Sequence, residues 1–445
     1  MLIHTSNTRI KGILKSLLQR SLKAADPSQA MEQLIVRKGH HLSVDKLQYD
    51  LSHYERVACV GAGKASAHLA KTLERILGGY LEGGMVIVKD GYEAPTQQVQ
   101  ILEADHPLPD ARGVRATKHI LNIARALTKN DLLIVLLSGG ASSLLCAPAL
   151  GLTLSDKRRT TKLLLRAGAT IQDINTVRKH LSAVKGGQLA QATSAKILTV
   201  VLSDVLGDDL STIGSGPTVP DPTTFQEANT ILEQYQLLSR IPERIRTHLE
   251  EGIQGHHPET WKSQRRHSPR HQSIILANNQ TALDGVAKEA KRLGLRPHLL
   301  DSPLQGEAKE LGAILGAMAK DIREFGNPIR PPACLIVGGE PTVNVTGKGK
   351  GGRAQECVLA AAQEVAGLPN VVVAGFGTDG MDGPTDVAGA MVDGKTLQRA
   401  KKKGLSIETI LEKHDSYTFF NQVGGHIITG PTHTNVNDIY LIIAL

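Results

Sequence analysis

Short apolar runs recur along the first half of the chain, and most of them end at a turn rich in glycine or aspartate. The four clearest runs are Val57–Val60, Gly84–Val88, Leu132–Leu137 and Ile197–Leu202. Runs without alternating polar positions are typical of strands buried on both faces, as in parallel sheets covered by helices. Helical patterns follow the turns. The segment therefore predicts an α/β fold with a Rossmann-like, doubly wound parallel sheet.

The second half repeats this alternation after an interruption. From Glu250 to Gln272 the apolar periodicity disappears into Gly, His, Pro, Ser and Arg, which is typical of a linker or long surface loop. The expected elements beyond it are the strands Ser273–Ala277, Ala333–Val337, Val371–Ala374 and Ile439–Ile443 and the helices Thr281–Leu293 and Gln305–Phe325. We therefore predict a Rossmann-like N-terminal domain over 1–249, a linker or surface loop over 250–272, and a smaller α/β domain over 273–445.

Composition narrows the classes of function. The 445 residues carry 51 Lys and Arg against 43 Asp and Glu, a net charge of +8, and four of the cations lie between Lys262 and Arg270. A basic balance without a DNA-reading motif, and with only 3% aromatics, favours small anionic ligands over nucleic acid. Apolar runs fall well short of the ~18 residues of a membrane span. We expect a cytoplasmic protein with neither membrane nor nucleic-acid partners.

The four cysteines occur singly, at Cys59, Cys146, Cys334 and Cys357. Zinc sites and redox dithiols require paired spacing, which is missing here. We expect four buried, reduced thiols.

Two glycine-rich turns follow predicted strands in the first half. The first turn runs from Gly61 through Gly63 and Lys64 to Ser66; its glycines let a ligand approach the backbone, and its lysine can contact a phosphate or carboxylate. The second turn spans 138–143, where successive amides and hydroxyls can bind an anion. Its candidate binding residues are Ser138, Gly139, Gly140, Ser142 and Ser143. A serine-hydrolase triad is disfavoured because the G-x-S-x-G elbow is missing.

Two acidic turns follow other strands. Asp204, Asp208 and Asp209 lie within six residues, so their mutual repulsion calls for a positive partner such as Mg²⁺, although Asp209 also fits a capping role. A carboxylate here could also accept a proton from a substrate hydroxyl. In the second half, Thr378, Asp379 and Asp382 follow the strand that ends at Ala374. The predicted metal ligands are Asp204, Asp379 and Asp382.

A last pair of loops lies in the second half. Gly338, Gly339 and Glu340 follow a strand, and a Gly/Lys loop through Gly351 and Gly352 leads to Arg353 at a helix start. Arg353 can bind a carboxylate or phosphate with two parallel hydrogen bonds. Ligands bind such folds at the carboxyl ends of strands, so we expect an active site in a cleft between the two domains.

These same residues resemble the class II glycerate kinases, the glycerate 2-kinase family whose C-terminal part is called the MOFRL domain. The resemblance runs in one order over nearly the whole chain. It is carried by the segments Ala24–Pro27, Val60–Ala65, His106–Asp110, Leu137–Ser143, Asn175–Ser182, Leu202–Asp208, Gly214–Thr218, Gly338–Thr342, Gly351–Gln355 and Gly377–Gly383.

The resemblance implies ATP-dependent phosphorylation of D-glycerate to 2-phosphoglycerate with a divalent metal, Mg²⁺. It also implies that Lys64 and Arg353 are central active-site cations. Asp204 or Asp208 is then the candidate acceptor of the C2 hydroxyl proton, and the residues alone do not choose between them. The expected partners are glycerate and a nucleotide; the oligomeric state, a homodimer included, stays open.

Two other functions would each require a feature that the sequence lacks. Some members of the family carry the name hydroxypyruvate reductase, which would require an NAD(P)H site. Ser66 replaces the last glycine of the dinucleotide fingerprint. The acidic residue that binds the ribose is expected at the end of a strand, whereas Glu82 precedes one. A sugar-acid-sensing regulator would need a DNA-reading module, and α/β units already occupy the available sequence.

Overall fold

A computed structural model describes residues 1–5, 7–262, 270–301 and 303–445. The chain forms two compact units. The Rossmann-like unit comprises Ala30–Leu276, and the C-terminal unit comprises Met1–Gln29 together with Ala277–Leu445.

The strands, in chain order, are β1 (Leu2–Ile3), β2 (Ile35–Lys38), β3 (His41–Val44), β4 (Leu47–Asp50), β5 (Val57–Ala62), β6 (Gly83–Lys89), β7 (Val99–Ala104), β8 (Leu132–Leu137), β9 (Lys196–Leu202), β10 (His271–Ala277), β11 (Arg296–Leu299), β12 (Ala333–Gly339), β13 (Val371–Gly377), β14 (Gly389–Asp393), β15 (His426–Ile428) and β16 (Asp438–Ala444).

The α-helices are α1 (Thr8–Ala24), α2 (Pro27–Leu34), α3 (Ser66–Leu77), α4 (Ala111–Ala126), α5 (Ala141–Leu144), α6 (Leu154–Arg166), α7 (Ile171–His180), α8 (Gln188–Gln191), α9 (Phe225–Gln234), α10 (Glu243–Ile253), α11 (Asn279–Arg292), α12 (Ala308–Glu324), α13 (Arg353–Ala361), α14 (Thr396–Lys402), α15 (Ile407–Lys413) and α16 (Ser416–Val423). No described helix is both long and apolar enough to cross a membrane.

The Rossmann-like unit is built on a six-stranded sheet in the order β10-β9-β8-β5-β6-β7. The pairs β5–β6, β6–β7, β5–β8 and β8–β9 are parallel. Numbered from β5, this is the doubly wound order 3-2-1-4-5-6, in which the chain reverses direction across the sheet between β5 and β8. Ligands bind such sheets at this switch point, so the turns that follow β5 and β8 occupy the expected place.

The core strands β5 and β8 are buried at every position, as their unbroken apolar runs predict. Their side chains pack with those of α4 and of the 184–197 segment into one apolar cluster. A small antiparallel sheet of β2, β3 and β4 completes the unit.

The C-terminal unit is built on a seven-stranded mixed sheet in the order β1-β15-β14-β13-β16-β12-β11. Strand β16 lies antiparallel between β12 and β13. The carboxyl ends of β12 and β13 therefore meet the first residue of β16, because Gly339 and Gly377 both pair with Asp438. Three chain segments that are far apart in sequence converge at this edge.

The structure corrects the expected division of the chain in two places. The segment Ser273–Ala277 was expected to begin the C-terminal domain, but β10 is the edge strand of the Rossmann-like sheet. The first 29 residues belong to the C-terminal unit, because β1 pairs with β15 and the apolar stripe of α1 packs on α11. Close packing there depends on Gly285, where a Cβ would overlap the Cβ of Ala24.

The expected linker over 250–272 falls partly on residues 263–269, which lie outside the described residues. Of its remainder, α10 continues to Ile253 and β10 starts at His271. The side chain of Thr260 donates a hydrogen bond of 2.9 Å to buried Asp221, and Trp261 packs beside Gly187. Thr260 and Trp261 are thus packed against the unit, whereas residues 253–256 are exposed. The four cysteines are buried and free, as expected.

Candidate active site

The first glycine-rich turn connects β5 to α3 and is pressed against the end of β8. A Cβ on Gly61 would overlap the backbone of Leu136, and a Cβ on Gly63, where φ is +136°, would overlap Ser138. A side chain is excluded by lack of space at both positions, and at Gly63 also by the backbone conformation. The turn, which ends in Lys64, is therefore held tightly at the carboxyl ends of the central strands β5 and β8.

The first and second turns form one hydrogen-bonded unit. The amide of Lys64 donates to the carbonyl of Gly139 at 2.8 Å, and the amide of Ala65 donates to Oγ of Ser138 at 3.0 Å. The hydroxyls of Ser66 and Ser138 lie 3.1 Å apart. Ser66, which breaks the dinucleotide fingerprint, thus has a structural role in joining the two turns.

In the second turn, Gly140 has a left-handed backbone conformation (φ 88°) and directly precedes the short helix α5. A Cβ at Gly140 would lie 3.0 Å from Nε2 of His106 and 3.7 Å from Cγ of Lys64. Lys64, His106 and Gly140 are thus neighbours in the fold, although Lys64 and Gly140 are 76 positions apart in sequence. The motif that contains His106 supplies a site neighbour that the sequence analysis left without a role.

A buried lysine that sequence reasoning missed ties the second turn to the loop after β9. Nζ of Lys185 donates to the carbonyls of Ser142 at 2.8 Å and of Gly214 at 3.2 Å. Oγ of Ser215 lies 3.2 Å from Oγ of Ser142 and donates to Oδ1 of Asn175 at 3.2 Å. Burial lowers the pKa of Lys185 well below its usual value, with Lys157 adding to the effect. The signal available was a lysine among small and apolar residues at 183–187.

The three aspartates after β9 have different surroundings. Asp209 accepts hydrogen bonds from the amide of Ser211 at 2.9 Å and from the hydroxyls of Ser211 and Thr212 at 2.7 Å. Burial acts to raise the pKa of Asp209, but these donors outweigh it and the pKa is lowered. Asp209 therefore stabilises the turn. Asp204 and Asp208 are partly exposed in the same loop, and Asp208 has φ 55°.

In the C-terminal unit, the guanidinium of Arg353 is held by two carboxylates. It donates to Asp438 from Nε at 2.7 Å and from Nη2 at 3.0 Å, and to Glu340 from Nη1 at 2.6 Å. Glu340 in turn accepts a hydrogen bond of 2.7 Å from Asn437. The side chain of Arg353 is 34% exposed, whereas that of Asp438 is 3% exposed. The clamp fixes the orientation of Arg353 while leaving part of it accessible.

Asp438 and Asn437 were missed by the sequence analysis, which started the last strand at Ile439. No local motif marks Asp438, because its partners come from the ends of β12 and β13. Burial raises the pKa of Asp438 to about 7, against the opposing effect of Arg353. Burial also acts to lower the pKa of Arg353, but the charge of Asp438 outweighs it and the pKa is raised. The arginine therefore stays charged at every physiological pH.

The structure gives Asp382 a different role from the metal ligand that the sequence predicts. Its carboxylate caps α13 by accepting hydrogen bonds from the amides of Ala354 at 3.0 Å and Gln355 at 2.8 Å, and from Nε2 of Gln355 at 2.9 Å. Burial raises the pKa of Asp382, and these donors oppose the shift. Asp382 thereby positions the helix start that carries Arg353.

The predicted binding glycines of the C-terminal unit and Thr378 also contribute to packing around Arg353. Cβ atoms on Gly351 and Gly352 would overlap Ser416 and Asp382, and on Gly338 and Gly339 would overlap Asn279 and Leu304. Oγ1 of Thr378 donates to the carbonyl of Asn437 at 2.7 Å, and Asp379 accepts from the amide of Met381 at 3.1 Å. The loops thus allow close backbone approach around Arg353.

Metal-binding geometry is not assembled at the predicted ligands. Among the described residues, three His, Cys, Asp or Glu ligand atoms lie within 4.8 Å of one another only at His40, His41 and Asp50 on the surface of the small sheet. The ligand role of Asp204 and Asp379 stays a prediction.

The geometry can be compared with known proteins. Residues 13–250 match the family model described as a domain of unknown function, DUF4147, and residues 333–438 match the MOFRL family. A protein of Pyrococcus horikoshii named glycerate 2-kinase is 40% identical over 98% of this chain and 97% of its own length. A protein of Agrobacterium vitis with the provisional name hydroxypyruvate reductase is 41% identical over 87% of each chain.

A solved structure gives the same result in three dimensions. The crystal structure of a glycerate kinase from Thermotoga maritima superposes with a TM-score of 0.86 at 35% identity, covering 98% of this chain and 100% of that one. The similarity spans both units. The chain therefore belongs to the glycerate 2-kinase family, which joins a DUF4147 domain to a MOFRL domain.

Proposed function

We propose that this protein transfers the terminal phosphoryl group of ATP to the 2-hydroxyl of D-glycerate, giving 2-phosphoglycerate. The observation that carries the proposal is the pair of interlocked turns at the switch point, which hold Lys64 in a family whose relatives are named glycerate kinases. Phosphoryl transfer depends mostly on positioning and charge stabilisation, and fixed cations with close-approach glycines supply both.

The side chains divide the work according to their surroundings. Lys64 neutralises the phosphoryl group in transfer, and the turn amides help to orient it. Arg353, fixed by Asp438 and Glu340, supplies the second central cation and binds the glycerate carboxylate or a phosphate oxygen. Asp204 or Asp208 accepts the hydroxyl proton, a modest role because the transition state is loose.

The donor set of the loop after β9 fits Mg²⁺. Asp204 and Asp208 are partly exposed residues with carboxylate oxygens, the hard ligands that Mg²⁺ prefers, whereas Asp209 is engaged by Ser211 and Thr212. Mg²⁺ held there with the nucleotide would neutralise phosphate charge. Asp379 is a further candidate ligand, and Asp382 is left to cap α13.

The position of Asp90 is the one observation that favours the reductase alternative, so the experiment includes a reductase assay. Asp90 directly follows β6, where a ribose-binding acid would stand in a dinucleotide site. Its two carboxylate oxygens accept hydrogen bonds from Arg112 at 2.7 and 2.8 Å. A reductase would have to displace this pair and bind the cofactor without the third glycine.

The test is a pair of assays on the purified full-length protein. Incubation with Mg-ATP and D-glycerate should form ADP and a phosphoglycerate in equal amounts, and the isomers are then separated to identify the 2-phosphate. NADH with hydroxypyruvate should give no oxidation above background. Oxidation of NADH without phosphoglycerate would overturn the kinase proposal.

We also place the reaction in the cytoplasm, with the nucleotide and glycerate as small-molecule partners. Analytical ultracentrifugation decides whether the active species is a monomer or a homodimer.

A further inference from the structure

A cavity of about 880 Å³ opens within the Rossmann-like unit, beside the second turn. Its walls come from the 106–109 segment after β7, from Ser142 and Ser143, from α6, and from Arg178 and Lys185. This volume lies in the range of pockets that bind drug-sized ligands, about 300–1,000 Å³. A three-carbon acid such as glycerate would fill only a small part of it.

The cavity lining includes Lys157, Arg178 and Lys185, for which no acidic hydrogen-bond partner is found among the described residues. Lys157 is only 6% exposed. Its Nζ has no hydrogen-bond partner among the described residues. Lys185 is 2% exposed, and its Nζ donates to two backbone carbonyls, those of Ser142 and Gly214. Burial lowers the pKa of both lysines and of Arg178. The cavity lining contains six Lys and Arg side chains and no Asp or Glu.

Such an arrangement destabilises the folded state. Burying a cation without a counter-charge is costly, and neighbouring like charges add repulsion. A hydrogen-bond donor held in a cavity without a partner is explained when a ligand brings the acceptor. Three converging cations exceed what a monocarboxylate needs, and they match the charge of a polyphosphate chain.

Apolar side chains form another part of the lining. Leu108 and Leu165, which are 53% and 57% exposed, stand at the cavity with Leu154 and two prolines. Large exposed apolar side chains grouped at a pocket mark a ligand surface. A ligand with a flat apolar part and a highly charged part would use both regions, which is the chemistry of a nucleotide.

We infer that this cavity is the nucleotide site: Lys157, Arg178 and Lys185 bind the polyphosphate, and Leu108, Leu154 and Leu165 contact the base and ribose. The inference rests on the proposed function, since a kinase needs such a site. Lys185 also contacts Ser142 of the second turn, so the charged end of the nucleotide lies beside the turn that is bonded to Lys64.

The experiment measures ADP binding by calorimetry to the full-length protein, which separates binding from turnover. Lys157→Met keeps the length of the side chain and removes its charge, and Lys118→Met, on the exposed face of α4, is the matched control. We expect Lys157→Met to weaken ADP binding about tenfold or more, because each hydrogen bond to a charged group contributes about that factor. Lys118→Met should bind ADP like the wild type.

Thermal unfolding supplies a second readout, in which Lys157→Met should stabilise the protein without ligand although it weakens ADP binding. Lys157→Met should raise the Tm without ligand, because it removes a buried unpaired charge, and should lose most of the Tm increase that ADP gives the wild type. A merely structural lysine would lower the Tm when replaced. This result would count against the inference.

The apolar wall is tested separately. Leu165→Glu, at an exposed position, should weaken ADP binding severalfold, whereas Leu150→Glu, at a position 92% exposed and outside the cavity, should not. Inorganic tripolyphosphate should bind more weakly than ATP to the wild type. Equal affinity would overturn the assignment of the base and ribose contacts.

Failure of the inference and failure of the proposed function give different results. Wild-type ADP binding that Lys157→Met leaves unchanged overturns the cavity assignment, even if glycerate is phosphorylated. ADP binding that depends on Lys157, in a protein that forms no phosphoglycerate, supports the cavity and overturns the kinase proposal.

Discussion

Arg353 and Asp438 form a two-point hydrogen-bonded pair, with Nε and Nη2 donating to the two carboxylate oxygens at 2.7 and 3.0 Å. Asp438 is buried at the start of β16, where the register brings it beside the ends of β12 and β13. The hydroxyl of Tyr440 also donates to Asp438, at 3.2 Å. The pair makes Asp438 a positioning residue for Arg353.

Asp438→Asn should lower kcat/KM by about 10- to 100-fold, the usual effect of removing a partner that orients an active-site group. The amide keeps the shape but leaves Arg353 with one acceptor fewer. Glycerate-dependent ADP release is the measurement. Asp386→Asn, at an exposed position in the loop after β13, is the control, and equal losses in both variants would contradict the positioning role.

Stability should depend on pH through Asp438. Its pKa rises from 3.8 to about 7 on folding, so the folded state binds more protons than the unfolded chain between these values. The stabilising contribution is complete below pH 3.8 and is lost as pH rises through about 7. The free energy of unfolding of the wild type, measured in urea, should fall relative to that of Asp438→Asn as pH increases from 4 to 7. A constant difference would refute the shift.

Lys64→Met should reduce kcat by about 10²- to 10³-fold, the loss expected when one group that stabilises transition-state charge is removed. The fold should be kept, since the turn is held by backbone groups of Lys64 and Gly139 rather than by the lysine charge. Lys71→Met lies on the exposed face of α3 and serves as the control. Near wild-type turnover of Lys64→Met would remove Lys64 from the chemistry.

Gly61→Ala should destabilise the protein by about 1–3 kcal/mol, because its Cβ would overlap the backbone of Leu136 and force β5 away from β8. Gly12→Ala should have the opposite sign, about 0.5–1 kcal/mol more stable, since Gly12 lies on the exposed side of α1 with nothing within 4 Å of its Cβ position. Chemical denaturation compares the two. Equal effects would show that the turn is not tightly packed.

Asp204→Asn and Asp208→Asn should raise the Mg²⁺ concentration needed for half-maximal activity, because each removes a hard anionic ligand. Asp209→Asn should leave that concentration unchanged and lower stability by about 1 kcal/mol, since its hydrogen bonds to Ser211 and Thr212 hold the turn. Titration of Mg²⁺ at saturating substrates separates the three variants. A larger metal effect in Asp209→Asn would reverse the assignment.

Local patterns were sufficient for much of the Rossmann-like unit. The unbroken apolar runs of β5 and β8 predicted strands that the structure places at Val57–Ala62 and Leu132–Leu137. The adjoining turns could be recognised because a parallel sheet places ligand loops at strand ends, and the glycines there have few other uses. The same reasoning predicted Lys64 and Arg353 as site residues.

Sequence reasoning was least accurate where long-range packing decides the outcome. Nothing local in Met1–Gln29 reveals that α1 packs on α11, and a short apolar run such as β10 fits either sheet until one edge accepts it. Lys157 and Lys185 read as ordinary lysines, because burial is a property of the surrounding elements.

By itself, the order of apolar and polar residues determined which segments become strands, which turns lack room for side chains, and which charged residues stand at their ends, since these follow from neighbours a few positions away. Only the tertiary structure decided that Asp438 holds Arg353, that Asp382 caps a helix, and that three cations share one cavity. Those relationships arise from strand register and burial, which join residues that are distant in the chain.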